Sequence, residues 1–229
     1  MARREGLKRI VAVGDSITWG CDSSDPDTKS WPARLMSMLH DTNKYEVVNL
    51  GLSGRTMMKD GDMPYWNEKE YQTALNSNAD VVILMLGTND SKNFQWNQTK
   101  YYSDYLEMGR SFLNMTSKPD LYIMVPPPLY LDNSYSMNQT TINERFPDLI
   151  PQIGKDLGLP DDHVIDIFNP LGGKELSEWQ FFCDGQSCDD CHPNDAGYSM
   201  LASEIYKKLF LRPIPQDDAS TDQEDILVY

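Results

Sequence analysis

Positive charge is scarce in this chain of 229 residues: 20 Lys and Arg stand against 35 Asp and Glu, a formal net charge of -15. Binding nucleic acid or an anionic bilayer relies on clustered cations that neutralise phosphate. The one basic stretch, Arg3-Arg4-Glu5-Gly6-Leu7-Lys8-Arg9, is short and runs straight into an apolar segment, so residues 1–8 read as a solvated lead-in and no nucleic-acid partner is expected. No apolar run approaches the ~20 residues needed to span a bilayer, and Met1 is not followed by the apolar stretch of a signal peptide. As it stands the sequence reads as a soluble, cytoplasmic chain, with secretion open if a leader has been removed. Internal repeats are absent, and histidine is limited to three positions.

Cysteine is limited to four. Cys183, Cys188 and Cys191 crowd together while Cys21 lies five residues after Ser16, and full pairing allows three connectivities. If Ser16 and His192 meet, Cys21 and Cys191 become neighbours, which suits either a cross-link bracing the site or two plain thiols. The same cluster, with His192 or Cys21 as a fourth ligand, superficially offers a zinc knuckle. Zinc on His192 would remove the base described below, so no metal and no cofactor are expected. Asn97, Asn114 and Asn138 begin glycosylation sequons, which leave the compartment open.

With 40% hydrophobic and 24% charged residues, the length suits one domain, taken as residues 9–212. The stretch 213–229, rich in Asp, Gln, Ser and Pro, reads as a flexible tail. Strand-like and helix-like segments alternate. Ile10–Val13 is a strand. Ser30 is placed to cap a helix with Pro32 in its first turn and Ala33, Leu35, Met36 and Leu39 as its stripe. Further strands are Tyr45–Leu50, Val81–Leu86, Leu121–Val125 and Val164–Phe168. Val81–Leu86 is apolar at every position, which fits a central parallel strand covered on both faces. A last helix runs over Asp195–Leu209, with Tyr198, Leu201, Ile205 and Leu209 at helical spacing. This alternation points to right-handed βαβ units and a doubly wound, mainly parallel, five-stranded α/β sheet. Sites in such sheets form at the carboxyl ends of the strands.

Three segments fall in suitable places for chemistry. Gly14-Asp15-Ser16-Ile17-Thr18 follows the first strand and presents a serine hydroxyl at a turn. Gly87-Thr88-Asn89-Asp90 and Asp189-Asp190-Cys191-His192-Pro193 offer what a weakly acidic hydroxyl lacks: an oxyanion donor, a general base and a carboxylate to orient that base. The Asp-x-x-His spacing lets one turn fold a carboxylate back onto the imidazole of its own loop. Together with the glycine of Asn49-Leu50-Gly51-Leu52-Ser53-Gly54-Arg55-Thr56, these blocks resemble, in order and spacing, the SGNH (GDSL-type) esterases and lipases over roughly residues 9–210. The resemblance implies a three-layer α/β/α, flavodoxin-like fold and ester hydrolysis through a serine acyl-enzyme. It implies Ser16 as nucleophile, His192 as base and Asp189 as orienting acid. The implied oxyanion hole comprises the N–H of Ser16, the N–H of Gly54 and the side-chain amide of Asn89. Gly54 is preferred to Gly51 because Ser53-Gly54-x-Thr56 fits the family block, which leaves Gly51 as a turn residue.

Plainer roles compete with these. Ser16 could cap a helix, and Asn89 with Asp90 could form an Asx-type turn, the only role expected of Asp90. Asp190 rivals Asp189, and His40 and His163 read as structural or exposed. For the substrate, Met124-Val125-Pro126-Pro127-Pro128-Leu129-Tyr130 resembles a segment of the sialate and other sugar O-acetylesterases. Trp19, Trp31, Tyr65, Trp66 and Trp96 are candidates for a sugar-stacking platform. The expectation is a small-molecule or carbohydrate ester substrate, with acetyl as the acyl group. The alternatives are a lysophospholipase or thioesterase of the same fold, or a binding module without catalysis. Oligomeric state is not specified by the sequence.

Overall fold

The computed structural model describes residues 6–185 and 188–211. Strands β1 (Lys8–Gly14), β2 (Tyr45–Gly51), β3 (Val81–Met85), β4 (Asp120–Val125) and β5 (Val164–Asp166) pair in parallel throughout, in the order β2-β1-β3-β4-β5. Between and after them lie helices α1 (Ser16–Trp19), α2 (Pro26–Lys29), α3 (Trp31–Leu39), α4 (Lys69–Leu75), α5 (Gln98–Leu113), α6 (Phe146–Asp156) and α7 (Asp195–Phe210).

The two-residue period of a strand divides the core into two layers. Val11, Val13, Val82, Leu84, Leu121 and Ile123 face one side and pack with Tyr71 of α4, Tyr105 and Phe112 of α5 and Ile150 of α6. Their alternates Ile10, Ala12, Val81, Ile83, Met85 and Met124 face the other and pack with Trp31 and Leu35 of α3 and Tyr198, Leu201 and Ile205 of α7. Every residue of β3 is buried because helices cover both its faces. The result is the three-layer α/β/α fold. The chain runs from β1 outward to β2 and then crosses back to β3, so the strand order reverses beside β1 and opens a crevice at the carboxyl ends of β1 and β3.

The structure departs from the sequence reading in several places. Strand β1 begins at Lys8, and Arg9 is not solvated: it is 1% exposed, with Nε 2.8 Å from Glu46 and a second guanidinium nitrogen on the carbonyl of Ser77. Pairing makes that burial tolerable. Ser30 occupies the cap position of α3, yet its hydroxyl makes no cap bond. β5 is shorter than expected: it ends at Asp166, and among the described residues only the N–H of Ile167 beyond it still reaches β4, at Val125 and 3.3 Å. The tail 213–229 and most of the lead-in lie outside the described residues. Among the described residues no helix is long and apolar enough to cross a membrane.

Candidate active site

Gly14 ends β1 where a side chain has no room: a Cβ there would stand 2.6 Å from the carbonyl oxygen of Met85 and closer still to Thr18. The following residue, Asp15, accepts the N–H of Ile17 at 3.0 Å and so caps α1, a helix of four residues closed by Gly20 at φ 105°. This places Ser16 on the first turn, above the carboxyl end of β1, with 6% exposure. Its Oγ lies 2.7 Å from Nε2 of His192, a residue 176 positions later.

His192 is held from its own loop. Asp189 accepts the N–H groups of Cys191 (3.0 Å) and His192 (2.7 Å) on Oδ1, while its Oδ2 lies 2.5 Å from His192 Nδ1. Burial pushes the Asp189 carboxyl up, but the bond to the His192 ring, the imidazolium charge and the two N–H groups outweigh it and hold the carboxyl at about 2. Asp189 therefore stays ionised across the neutral range. Asp190 turns away, at φ 60°, to the indole nitrogen of Trp179 at 3.1 Å. The structure thus brings together Ser16, His192 and Asp189 and leaves Asp190 aside. His40 is exposed at the end of α3, and His163 stacks on Tyr122 and bonds the carbonyl of Leu121.

The Asn89 amide nitrogen lies 3.2 Å from the carbonyl oxygen of Arg55 and 3.4 Å from Asp15 Oδ2. Arg55 follows Gly54 and Asp15 precedes Ser16, so one side chain joins the loops that carry the other two expected oxyanion donors. Gly54 adopts φ +83°, and a Cβ on it would meet the sulfur of Met63 at 3.1 Å. Gly51 is not a turn residue. It closes β2, its N–H bonds Asn49 Oδ1 at 2.9 Å, and a Cβ would lie 2.2 Å from the backbone nitrogen of Trp19. β2 can approach α1 only through glycine.

Asp90 does more than form a local turn. Its fully buried carboxylate accepts the N–H groups of Met57 at 2.8 Å and Met58 at 2.7 Å, so it clamps the loop that presents Gly54. Burial pushes Asp90 up to about 7, opposed by those two bonds and reinforced by the nearby Asp15, which burial raises to about 6. A contact spanning 33 positions leaves no local mark in the sequence.

Cys183 and Cys188 form a disulfide, which removes two of the supposed zinc ligands, while Cys21 and Cys191 are free thiols. Both ring nitrogens of His192 are engaged by Ser16 and Asp189. Among the described residues no cluster of His, Cys, Asp and Glu is suited to a metal. Of the five candidate stacking aromatics, Trp31 and Tyr65 are fully buried. Trp66 and Trp96 are partly buried among other rings, and only Trp19, at 44%, is well exposed. Pro126, Pro127 and Pro128 lie beneath the surface. Tyr130 after them donates its N–H to the carbonyl of Asp190 at 2.9 Å, which ties that segment to the His192 loop. The sequence reading missed Tyr135, whose hydroxyl donates to Asp189 Oδ2 at 3.0 Å.

Residues 10–205 match the family model described as GDSL-like lipase/acylhydrolase. An acetylxylan esterase from Xylanibacter ruminicola is 28% identical over 222 residues, covering 89% of this chain. The chain spans 43% of that relative's length. Among solved structures, a protein of proposed arylesterase activity from Agrobacterium tumefaciens superposes with a TM-score of 0.66 at 22% identity, covering 89% of this chain and 100% of that one. A carbohydrate acetylesterase from Sinorhizobium meliloti gives 0.64 at 19%, covering 88% and 97%. With these structural likenesses attesting the fold and the family model spanning all four sequence blocks, the chain belongs to the GDSL-like lipase/acylhydrolases, a family of ester hydrolases.

Proposed function

We propose that this chain is a serine ester hydrolase that removes small acyl groups, chiefly acetyl, from carbohydrate. One observation carries the mechanism: an unbroken hydrogen-bonded chain from Ser16 Oγ through His192 to Asp189. His192 Nε2 takes the Ser16 proton as Oγ attacks the ester carbonyl, and Asp189 steadies the imidazolium without itself becoming protonated. The N–H groups of Ser16 and Gly54 and the amide of Asn89 receive the oxyanion. The imidazolium then protonates the departing alcohol. Water repeats the sequence on the acyl-enzyme, restoring Ser16 and releasing the acid.

The acetyl and carbohydrate parts of the proposal draw support from the relatives named for acetylxylan and carbohydrate acetyl esters. They are also supported by Trp19, three residues beyond Ser16 with its ring open to solvent. Cavities of about 570 Å³ beside α3 and about 340 Å³ beside β5 include neither Ser16 nor His192, so neither offers a tunnel for a long acyl chain at the nucleophile.

The test is a panel of aryl esters of increasing acyl length, run beside acetylated oligosaccharides. Acetyl should give the highest kcat/KM, because an overlong chain must displace packed side chains at ~1 to 3 kcal/mol. Octanoate surpassing acetate would assign the site to lipolysis, since each buried methylene adds ~0.8 kcal/mol in an acyl groove. Ser16→Ala and His192→Ala should each lower turnover by several orders of magnitude, and the double variant little further, because the two act as a unit.

A further inference from the structure

We propose that Tyr135 is a positioning residue of the hydrolytic site, acting through Asp189 on the basicity and orientation of His192. The proposal rests on the serine-hydrolase reading above and adds to it a fourth member from a separate segment.

Three observations converge on Tyr135. Its hydroxyl donates at 3.0 Å to Asp189 Oδ2, the same oxygen that faces His192 Nδ1. Its ring stands edge-on to the imidazole, with centroids 5.7 Å apart at 69°. Its backbone is left-handed, at φ 49° and ψ 30°, between Asn133 at φ 67° and Ser136 at φ 66°. Bulky side chains seldom occupy that region, and a conformation of this kind persists only where its surroundings impose it.

The surroundings are identifiable. Ser134 Oγ donates to the carbonyl of Asp189 at 3.0 Å. The N–H of Asn93 bonds the carbonyl of Ser136 at 3.0 Å, and that of Asn138 bonds Ser91 at 3.1 Å. The segment between β4 and α6 is therefore fastened on one side to the loop that carries Asn89 and on the other to the loop that carries Asp189. Tyr135 is 57% exposed overall, so neither core packing nor burial of its ring accounts for a strained backbone. What the geometry secures is the hydroxyl against Asp189. Burial of that hydroxyl and its bond to the carboxylate push Tyr135 up to about 12, so it remains a donor throughout the working range.

The consequence has a definite sign. A donor on Asp189 Oδ2 draws charge from the carboxylate and weakens its hold on the imidazolium, while fixing the carboxylate plane. Removing the donor leaves a more basic, less constrained carboxylate, so the imidazolium form of His192 is favoured to higher pH. Other titratable groups face this cluster: Asp15 beyond Ser16, Cys21 and Asp22 after α1, and Cys191 on the His192 loop. All stay unchanged in the variants below.

The experiment compares the unaltered chain with Tyr135→Phe and Ser134→Ala, the second loosening the same anchor without touching the ring. Two readouts are followed against pH: kcat and KM on an aryl acetate, and the rate at which a fluorophosphonate labels Ser16. Neither depends on the carbohydrate assignment. Tyr135→Phe should move the acid limb of both rates to higher pH and lower the plateau of kcat by roughly tenfold, the scale of one hydrogen bond to a charged group, with KM unchanged. Ser134→Ala should shift both in the same direction by less. Coincident pH profiles for Tyr135→Phe and the unaltered chain overturn the proposal while leaving the serine mechanism intact, and so does a change confined to KM. Failure of the unaltered chain to label at Ser16 overturns the serine mechanism and this proposal together.

Discussion

The Asn89 amide is the side-chain donor proposed for the oxyanion, and it also ties two loops together. Its nitrogen bridges the Arg55 carbonyl and the Asp15 carboxylate, while its backbone carbonyl accepts Gln95 at 2.9 Å, so the side chain is oriented before any substrate arrives. A preorganised donor is worth far more at a developing oxyanion than a mobile one. Asn89→Ala should lower kcat by roughly 10²- to 10³-fold, the usual loss for one oxyanion donor. Asn89→Asp should be worse, because it sets a carboxylate against Asp15 and against the oxyanion itself. Steady-state kinetics with melting curves as a control check both. An effect seen only in KM would move Asn89 to ground-state binding.

At the scale of elements, close approach of backbones matters more than side-chain fit. β2 meets α1 at Gly51, with no volume left for a methyl group between it and the Trp19 backbone. Gly51→Ala should therefore push β2 and α1 apart, costing ~1 to 3 kcal/mol as an overpacked core position does. Because α1 begins at Ser16, activity should fall with stability. Denaturant unfolding and esterase assays on one preparation test this. A variant as stable and active as the parent would show that the two elements slide without consequence.

Across the whole molecule, buried carboxyls set an unusual pH response. Asp15 and Asp90 have folded-state values of about 6 and about 7, above the 3.8 of a free Asp. From about pH 4 to 7 these two carboxyls bind more protons in the folded chain than in the unfolded one, so their contribution is full at low pH and is lost as pH rises through those values. Asp189, held at about 2, works oppositely: its contribution is full above about pH 4 and is lost as pH falls toward 2. Self-repulsion from a net charge of -15 adds to the first trend. The chain should thus be more stable at pH 5 than at pH 7.5. Asp90→Asn, although less stable at both, should show a smaller difference between them. Urea midpoints at the two pH values decide it, and an unchanged difference would exonerate Asp90.

The sequence by itself determined the strands, their parallel pairing in a doubly wound sheet and the positions of the four blocks. Apolar runs, helical stripes and turn residues are local signals, and burial of β3 on both faces is written in Val81 to Leu86. It also placed Asp189 within a turn of His192, since three residues suffice to fold a carboxylate onto an imidazole. Tertiary structure decided everything that depends on distance along the chain. Which aromatics stay open, that Arg9 is buried with Glu46, and that Asp90 clamps Met57 and Met58 are all matters of what the fold brings alongside. Tyr135 shows the division most clearly. Nothing in Asn133-Ser134-Tyr135-Ser136 signals a contact with Asp189, because the hydrogen bond is made between loops 54 residues apart and held by backbone bonds that no side-chain pattern records.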